Sequence, residues 1–290
     1  MQTAQIDTDI HGAGLYHQRA REALPLLVRQ AEADQPIDYG SLAVELGMPN
    51  ARNLNYPLGS IGTTLQQLSA LWGETIPPLQ CVVVNKNTGL PGEGIGWFIV
   101  KAEDFGRLPL NRRRDIVRAE LTKVFAYPRW REVLEALDLP PPPPPVSPDL
   151  LARATGLGGG EGDQHRALKD WVARHPEVLG LARTATGTTE RPLPSGDSLD
   201  VSFERADAWV AAEVKSRISG EADMLRGLFQ CIKYRAVMEA VLVAAGRPRA
   251  ARAVLVLETV LPPSLHAVRN ALAVEVIEKV SPAASRTAHG

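Results

Sequence analysis

Two carboxylates and a lysine in the C-terminal half have the residue types and the spacing for phosphate chemistry. Glu213 and Lys215 stand one residue apart at the end of an apolar run, so a strand would point both side chains to one face. Asp200 lies in a preceding strand-like segment, and the turn Glu204–Asp207 returns the chain beside it. Carboxylate oxygens bind divalent cations, such ions activate water at phosphate esters, and a lysine can position that water. These residues therefore predict metal-assisted hydrolysis.

Alternating helices and strands must position these side chains. A helix is expected from Glu161 to Pro176, and a second, longer one from Glu221 to Ala240. The apolar patterns predict strands over residues 199–203, 208–215, 253–257 and 273–277. The order α-β-β-α-β indicates an α/β fold for this half of the chain.

The long predicted helix carries a further pair of polar side chains. Gln230 and Tyr234 are four residues apart, so they share one face of that helix. Asp200, followed 13 residues later by Glu213-Val-Lys215 and then by this Gln-x-x-x-Tyr pattern, resembles the PD-(D/E)XK nuclease superfamily, in its exonuclease-like branch. The resemblance spans residues 161–277, and it departs from the family pattern at Leu199, where the proline of the first motif is replaced.

The resemblance implies roles for individual residues. It implies a restriction-endonuclease-like core, with Asp200 and Glu213 as ligands of Mg²⁺ (or Mn²⁺) and Lys215 beside the attacking water. Gln230 and Tyr234 would orient that lysine or contact the nucleic acid. The family often has an acidic metal ligand on its first helix, and Glu161 stands in the corresponding place, with Asp163 and His165 as rivals.

The same residues also fit a purely structural role. Glu213 and Lys215 would then be an ion pair at the end of a strand, which adds little stability. The apolar run Trp209–Ala212 argues against this, because burying Glu and Lys after it is unfavourable unless they are paired or bound to metal. Asp197 is an alternative to Asp200, but its Pro-Ser-Gly-Asp context is typical of a turn.

Prolines and glycines divide the chain. Pro140–Pro145 favours a stiff polyproline II spacer, and Gly156–Gly160 is a flexible stretch that lacks the lysine of a phosphate-binding loop. We therefore predict a linker over residues 140–160, an N-terminal domain over 1–139 and a nuclease domain over 161–290.

The N-terminal domain is predicted to be mostly helical and winged-helix-like. Helices are expected near residues 15–33, 37–47, 58–72, 112–125 and 129–137, with a β-hairpin wing formed by residues 79–84 and 95–100. Tyr39–Pro49 resembles the second helix of helix-turn-helix modules, including the DNA-binding half of alkyltransferase-like proteins. Alkyl transfer itself is rejected, because Cys81 lacks the Pro-Cys-His-Arg signature.

The winged-helix interpretation yields candidate nucleic-acid contacts. Arg52 and Asn53 precede the expected recognition helix, and Lys86 lies in the wing, where it could contact a phosphate. The alternative is that this domain mediates protein contacts or dimerisation. Arg112–Arg114 forms a basic run, which is more often solvated or paired with acids.

Bulk composition is that of an ordinary globular protein. The net charge of −1 argues against non-specific coating of nucleic acid, although a local basic surface remains compatible with a nuclease. Cys81 and Cys231 sit in apolar runs without a metal-binding spacing, so both are expected to be buried small residues. The N-terminus lacks a signal-peptide pattern and no run of apolar residues would span a bilayer, so we expect a cytoplasmic protein that does not contact membranes.

These observations together predict a metal-dependent DNA endonuclease, acting in phage defence, restriction or DNA repair. The motif does not distinguish DNA from RNA. A homodimer is expected, because cutting two strands with one site per chain needs two sites. The alternative function is a catalytically silent nucleic-acid-binding or regulatory protein that keeps the nuclease fold.

Overall fold

The computed structural model describes residues 8–99, 105–155 and 162–282. The chain divides into two compact units, Met1–Pro145 (unit 1) and Val146–Gly290 (unit 2). Both combine helices with strands, so the expected α/β class is confirmed at that level. None of the helices in the described ranges is long and apolar enough to cross a membrane.

Unit 1 is a helical bundle with one short parallel strand pair. Its apolar side chains, among them Leu24, Leu58 and Ile61, form one buried core. Arg29 and Glu45 form a buried ion pair at 2.7 Å that joins two of the helices. In chain order the elements are α1 (Leu15–Glu32), β1 (Ile37–Asp38), α2 (Tyr39–Glu45), α3 (Asn55–Trp72), β2 (Val83–Val84), α4 (Gly96–Ile99), α5 (Leu110–Ala126) and α6 (Trp130–Ala136).

The predicted wing is wrong in both of its strands, since Leu79–Val82 is a 3₁₀ helix and only Val83–Val84 of the first predicted strand is a strand. Residues 95–99 are helical, and β2 pairs with β1 in parallel, with Ile37 opposite Val83. A helix places Ile95, Phe98 and Ile99 on one side, against the core, and leaves Trp97 64% exposed. A strand would have put Trp97 on the same face as Ile95, so the apolar residues fit the helical period better than the period of two.

Unit 2 is a five-stranded mixed sheet with helices on both faces. The strand order is β3-β4-β5-β6-β7, in which β3, β4 and β5 are antiparallel and β6 and β7 run parallel to β5. The elements are α7 (Pro148–Ala154), α8 (Asp163–Arg174), β3 (Thr188–Pro192), β4 (Ser198–Glu204), β5 (Trp209–Lys215), α9 (Glu221–Ala244), β6 (Ala251–Leu257), α10 (His266–Ala271) and β7 (Glu275–Ile277). The strands predicted around Asp200 and Glu213, and the long helix after them, are confirmed.

Helix α7 lies inside the segment predicted as linker. Ser147 accepts a hydrogen bond from the amide of Leu150 and Pro148 opens the first turn, so the sequence carries an ordinary helix start. Leu150 and Ala154 are buried in the apolar cluster of α9 and β6. The polyproline run therefore ends at a helix of unit 2, and the linker prediction does not hold for residues 148–154.

The central strand β5 is buried along its whole length because helices cover both faces of the sheet. Leu168 and Val172 of α8 pack with Ala212 and Val214 on one face. On the other face, α9 packs against Trp209 and Ala211 through Tyr234, Met238 and Leu242. Residues 209, 211, 213 and 215 of a regular strand share a face, so Glu213 and Lys215 face α9.

A candidate active site at the end of the central strand

The three residues singled out from the sequence come together at the end of β5. Strands β4 and β5 pair with Val201 opposite Ala212, and the same register brings Asp200 level with Glu213. At this point β4 departs from a regular ladder, since the amide of Val214 donates to the Asp200 side chain, Oδ2, at 2.8 Å. The backbone of β5 therefore fixes one oxygen of Asp200.

Glu213 and Lys215 form a buried ion pair. The Lys215 Nζ lies 2.9 Å from Oε1 of Glu213, and the two residues are 6% and 3% exposed. A second carboxylate, Asp223 in the first turn of α9, lies 3.2 Å from the same Nζ. Sequence reasoning missed Asp223; its position near the start of the helix after the Glu-x-Lys strand is the signal that points to it.

One oxygen of Glu213 is left without a donor. Among the described residues, nothing hydrogen-bonds to Oε2, although the atom is fully buried. Burial, and then the negative charge of Asp200, raises the pKa of Glu213 to about 7, in spite of Lys215. Burial alone would lower the pKa of Lys215, but the carboxylates of Glu213 and Asp223 raise it instead, so the lysine stays charged.

Helix α8 contributes two further side chains near Asp200. His165 Nε2 lies 3.6 Å from Oδ1 of Asp200, and Lys169 Nζ lies 3.9 Å from the same oxygen. Asp163 is fully exposed and pairs with Arg166 at 3.6 Å, so it turns away from this group. Glu161, the acid that the sequence favours as a further metal ligand, lies outside the described residues.

Helix α9 covers the ion pair of Glu213 and Lys215, and Gln230 and Tyr234, four residues apart, share one face of this helix. The Gln230 Nε2 donates to the Tyr234 hydroxyl at 3.1 Å, and Oε1 of Gln230 is buried without a partner in the described part of the chain. Burial, with the charges of Glu213 and Asp200, raises the pKa of Tyr234 above its usual range. Cys231 beside them is buried and unpaired, as Cys81 is in unit 1, which confirms the expectation for both thiols.

Gly227 lets α9 approach the ion pair. A Cβ at this position would lie 2.8 Å from Cδ1 of Leu255, 3.1 Å from Cε of Lys215 and 3.6 Å from Cγ of Glu213. A glycine one turn after Asp223 is therefore a requirement of close helix–strand packing over the site.

Replacing Gly227 with alanine is expected to destabilise unit 2, although alanine has the better helix propensity. Overpacking of this kind costs about 1–3 kcal/mol, which exceeds the gain of about 1 kcal/mol from propensity. Denaturant unfolding monitored by circular dichroism measures the change. Gly246→Ala is not a suitable control because Gly246 has a positive φ. Gly220→Ala, at the N-cap of α9, is the matched control, because its φ is −78° and an added Cβ would meet nothing within 4 Å. A Gly227→Ala protein as stable as the wild type would mean that the helix shifts without penalty.

The residues predicted to contact nucleic acid are exposed in unit 1. Arg52 and Asn53 lie in a short 3₁₀ helix just before α3, where Asn50 accepts a hydrogen bond from the Arg52 amide. Asn53 also lines an open hollow of about 480 Å³ together with Tyr16 and Tyr56. Lys86 is exposed in a tight loop after β2 that Asn85 closes by accepting hydrogen bonds from two amides, rather than in a two-stranded wing.

In the residues that the structure describes, no three His, Cys, Asp or Glu side chains form a ready-made metal cluster. The candidate ligands stand instead as a pair of carboxylates with His165 near Asp200, and a lysine lies beside each carboxylate, Lys169 beside Asp200 and Lys215 beside Glu213. Comparison with protein-family models, with curated protein sequences and with solved structures found no match to this chain.

Proposed function

We propose that unit 2 is a metal-dependent nuclease of the PD-(D/E)XK type that hydrolyses phosphodiester bonds in DNA. The observation that carries the proposal is the buried carboxylate of Glu213, which has one oxygen bound to Lys215 and no donor at the other among the described residues. An unsatisfied carboxylate oxygen is costly to bury, so a fold retains one where a ligand compensates it. A divalent cation between Glu213 and Asp200 would do so.

The residues present fit a hard divalent ion. The Val214 amide binds Oδ2 of Asp200, and Lys215 binds Oε1 of Glu213. The other oxygen of each carboxylate, Oδ1 of Asp200 and Oε2 of Glu213, would ligate the ion, and Mg²⁺ and Mn²⁺ prefer such oxygen ligands. Of the two rivals that the structure describes for a third ligand, His165 faces Asp200 and Asp163 faces solvent. The ion, when bound, supplies an acidified water and offsets charge on the scissile phosphate.

The remaining chemistry falls to the charged and polar side chains around Glu213. Lys215 is held between Glu213 and Asp223, so its ammonium has a fixed direction from which to donate to the attacking water or to a phosphate oxygen. Asp223 acts through Lys215 and is a positioning residue. Gln230 and Tyr234 lie on the α9 face that covers the ion pair, and Oε1 of Gln230, which has no donor among the described residues, is placed to accept from substrate or water.

The chain topology supports the same proposal. Helix α8, the antiparallel strands β3, β4 and β5, the crossover α9 and the parallel strand β6 follow the order expected for a restriction-endonuclease-like core, with one strand more than the sequence predicted. We further propose that unit 1 contacts DNA through the exposed residues Arg52, Asn53 and Lys86, and that two chains act together on duplex DNA.

A cleavage assay tests the proposal. Plasmid, linear duplex, single-stranded DNA and RNA are incubated with wild type and with Asp200→Asn in Mg²⁺, in Mn²⁺ and in EDTA. We expect metal-dependent cutting of DNA that the near-isosteric Asp200→Asn change abolishes, while Asp207→Asn, at an exposed turn, cuts like the wild type. Absence of wild-type cutting on every substrate would favour the silent binding protein, and cutting by Asp200→Asn at the wild-type rate would mean that the site lies elsewhere.

A further inference from the structure

Lys169 is a second buried lysine beside the proposed metal ligands. Its side chain is 4% exposed, its ammonium pairs with the Glu190 carboxylate, and it lies 3.9 Å from Oδ1 of Asp200. A lysine is seldom buried to this degree unless carboxylates compensate its charge. The carboxylates of Glu190 and Asp200 therefore compensate the positive charge of Lys169, and Lys169 compensates theirs.

Glu190 on β3 is a third carboxylate near Asp200 of β4 and Glu213 of β5. Strand β3 pairs with β4 through Thr189 opposite Val201 and Arg191 opposite Leu199, so Glu190 comes level with Asp200. Glu190 also has a φ of 53°, in the left-handed region that residues with side chains seldom adopt. This backbone conformation occurs at the residue whose carboxylate meets Lys169.

We infer that Lys169 is a resident cation that takes the place of a second metal ion, so that the site binds one divalent ion per chain. This inference rests on the proposed function. The described residues here include four carboxylates and three cationic side chains. Lys169 pairs with Glu190 and Asp200, and Lys215 pairs with Glu213 and Asp223. Arg226 also pairs with Asp223, at 3.0 Å.

The charge balance favours one ion over two. One divalent ion, together with the single negative charge of a phosphodiester, leaves this cluster close to neutral. Among these side chains, a second divalent ion between Glu190 and Asp200 would add two positive charges next to the Lys169 ammonium, whose side chain is 4% exposed, and this repulsion is unfavourable. Among the described residues, Glu190 and Asp200 are the acids placed to hold a second ion, and Lys169 pairs with both of them. Lys169 thus positions Asp200 for the single ion and blocks the second site.

Mn²⁺ binding tests, without any activity measurement, whether Lys169 takes the place of a second metal ion. The number of ions per chain is obtained by titration, with free Mn²⁺ followed by electron paramagnetic resonance and the heat of binding by calorimetry. We expect one ion for the wild type, two for Lys169→Met, and one again when Lys169→Met is combined with Glu190→Gln. Lys169→Arg keeps the charge and should bind one ion. Lys233→Met, which breaks the exposed pair with Asp197, is the matched control and should also bind one.

The outcomes separate this inference from the proposed function. Two ions on the wild type, or one ion on Lys169→Met with unchanged affinity, would overturn the inference and leave a metal-dependent nuclease in place. A wild-type protein that binds no Mn²⁺ would overturn both. Should Lys169→Met fail to fold, as judged by circular dichroism, the shorter Lys169→Gln variant and the wild-type stoichiometry decide the question.

Discussion

Replacing Lys215 with methionine is expected to lower the rate of metal-dependent DNA cleavage by about 10²–10⁴-fold and to leave Mn²⁺ affinity in place. A charged ammonium has no lone pair with which to bind the ion, so Lys215, held by Glu213 and Asp223, is expected to act on water or phosphate. Methionine keeps most of the apolar stem that packs near Gly227. Single-turnover cleavage with saturating Mn²⁺ gives the rate, and a Mn²⁺ titration of the same sample gives the affinity.

Two matched variants make this expectation specific. Asp200→Asn should lose both cleavage and Mn²⁺ affinity, because Asp200 is a proposed ligand, and Lys233→Met should lose neither. A Lys215→Met protein that loses affinity and rate together would assign the lysine a structural role in holding Glu213. Cleavage by Lys215→Met at the wild-type rate would remove Lys215 from the proposed mechanism.

The motif residues could be predicted from sequence because their placement depends on local geometry alone. Glu213 and Lys215 share a face through the alternation of a strand, and Gln230 and Tyr234 share one through the period of a helix. The short turn after Glu204 sets the register that brings Asp200 level with Glu213. None of these steps requires knowledge of how distant segments pack.

Lys169 and Glu190 could not be predicted, because their roles depend on tertiary contacts. Lys169 is one polar residue on an amphipathic helix, and only the packing of α8 against the sheet buries it. Strand β3 lies in a segment rich in Gly, Thr and Pro that is typical of a loop, and its pairing with β4 gives it strand structure. Asp223 becomes part of the site through the crossover geometry of α9, which the sequence leaves open.

The wrong prediction of a wing strand in unit 1 also arose because the conformation there depends on tertiary packing. The run from Ile95 to Ile99 contains enough apolar residues for a strand or a helix, and short runs of this kind are ambiguous by periodicity. The core selects the helix because that conformation buries Ile95 and Phe98 together. The correction changes the proposed DNA contact of Lys86, which now depends on one exposed loop after β2.

Glu213 should make the metal-free protein less stable as the pH rises, and Glu213→Gln should remove this effect. The pKa of Glu213 is raised from 4.5 to about 7 by burial and by Asp200, so the folded state holds the proton more tightly than the unfolded chain. The stability from this group is therefore fully present below about pH 4.5 and is lost as the pH rises through 7. At pH 8 the ionised carboxylate costs on the order of 3 kcal/mol in the absence of metal.

Hydrogen exchange of the β5 amides in EDTA, corrected for the intrinsic exchange rate at each pH, measures how the stability of unit 2 changes with pH. Glu213→Gln and the wild type should be equally protected near pH 4.5, and the variant should be more protected at pH 8. Ion pairs with Lys233 and Arg247 hold the pKa of Asp197 and Glu204 below their usual values, so those groups add stability with rising pH. Both proteins contain them, and the difference between the two isolates Glu213.

The same variant links stability to function. Glutamine cannot ligate a hard cation as a carboxylate does, so Glu213→Gln should gain stability at pH 8 and lose both Mn²⁺ binding and cleavage. Glu239→Gln, which breaks the surface pair with Arg249, should change neither stability with pH nor metal binding. A Glu213→Gln protein that is less stable than the wild type at pH 8 would mean that Glu213 serves mainly to compensate the buried Lys215. The carboxylate would then be a structural partner of the lysine, and Oε2 of Glu213 would not be a metal ligand.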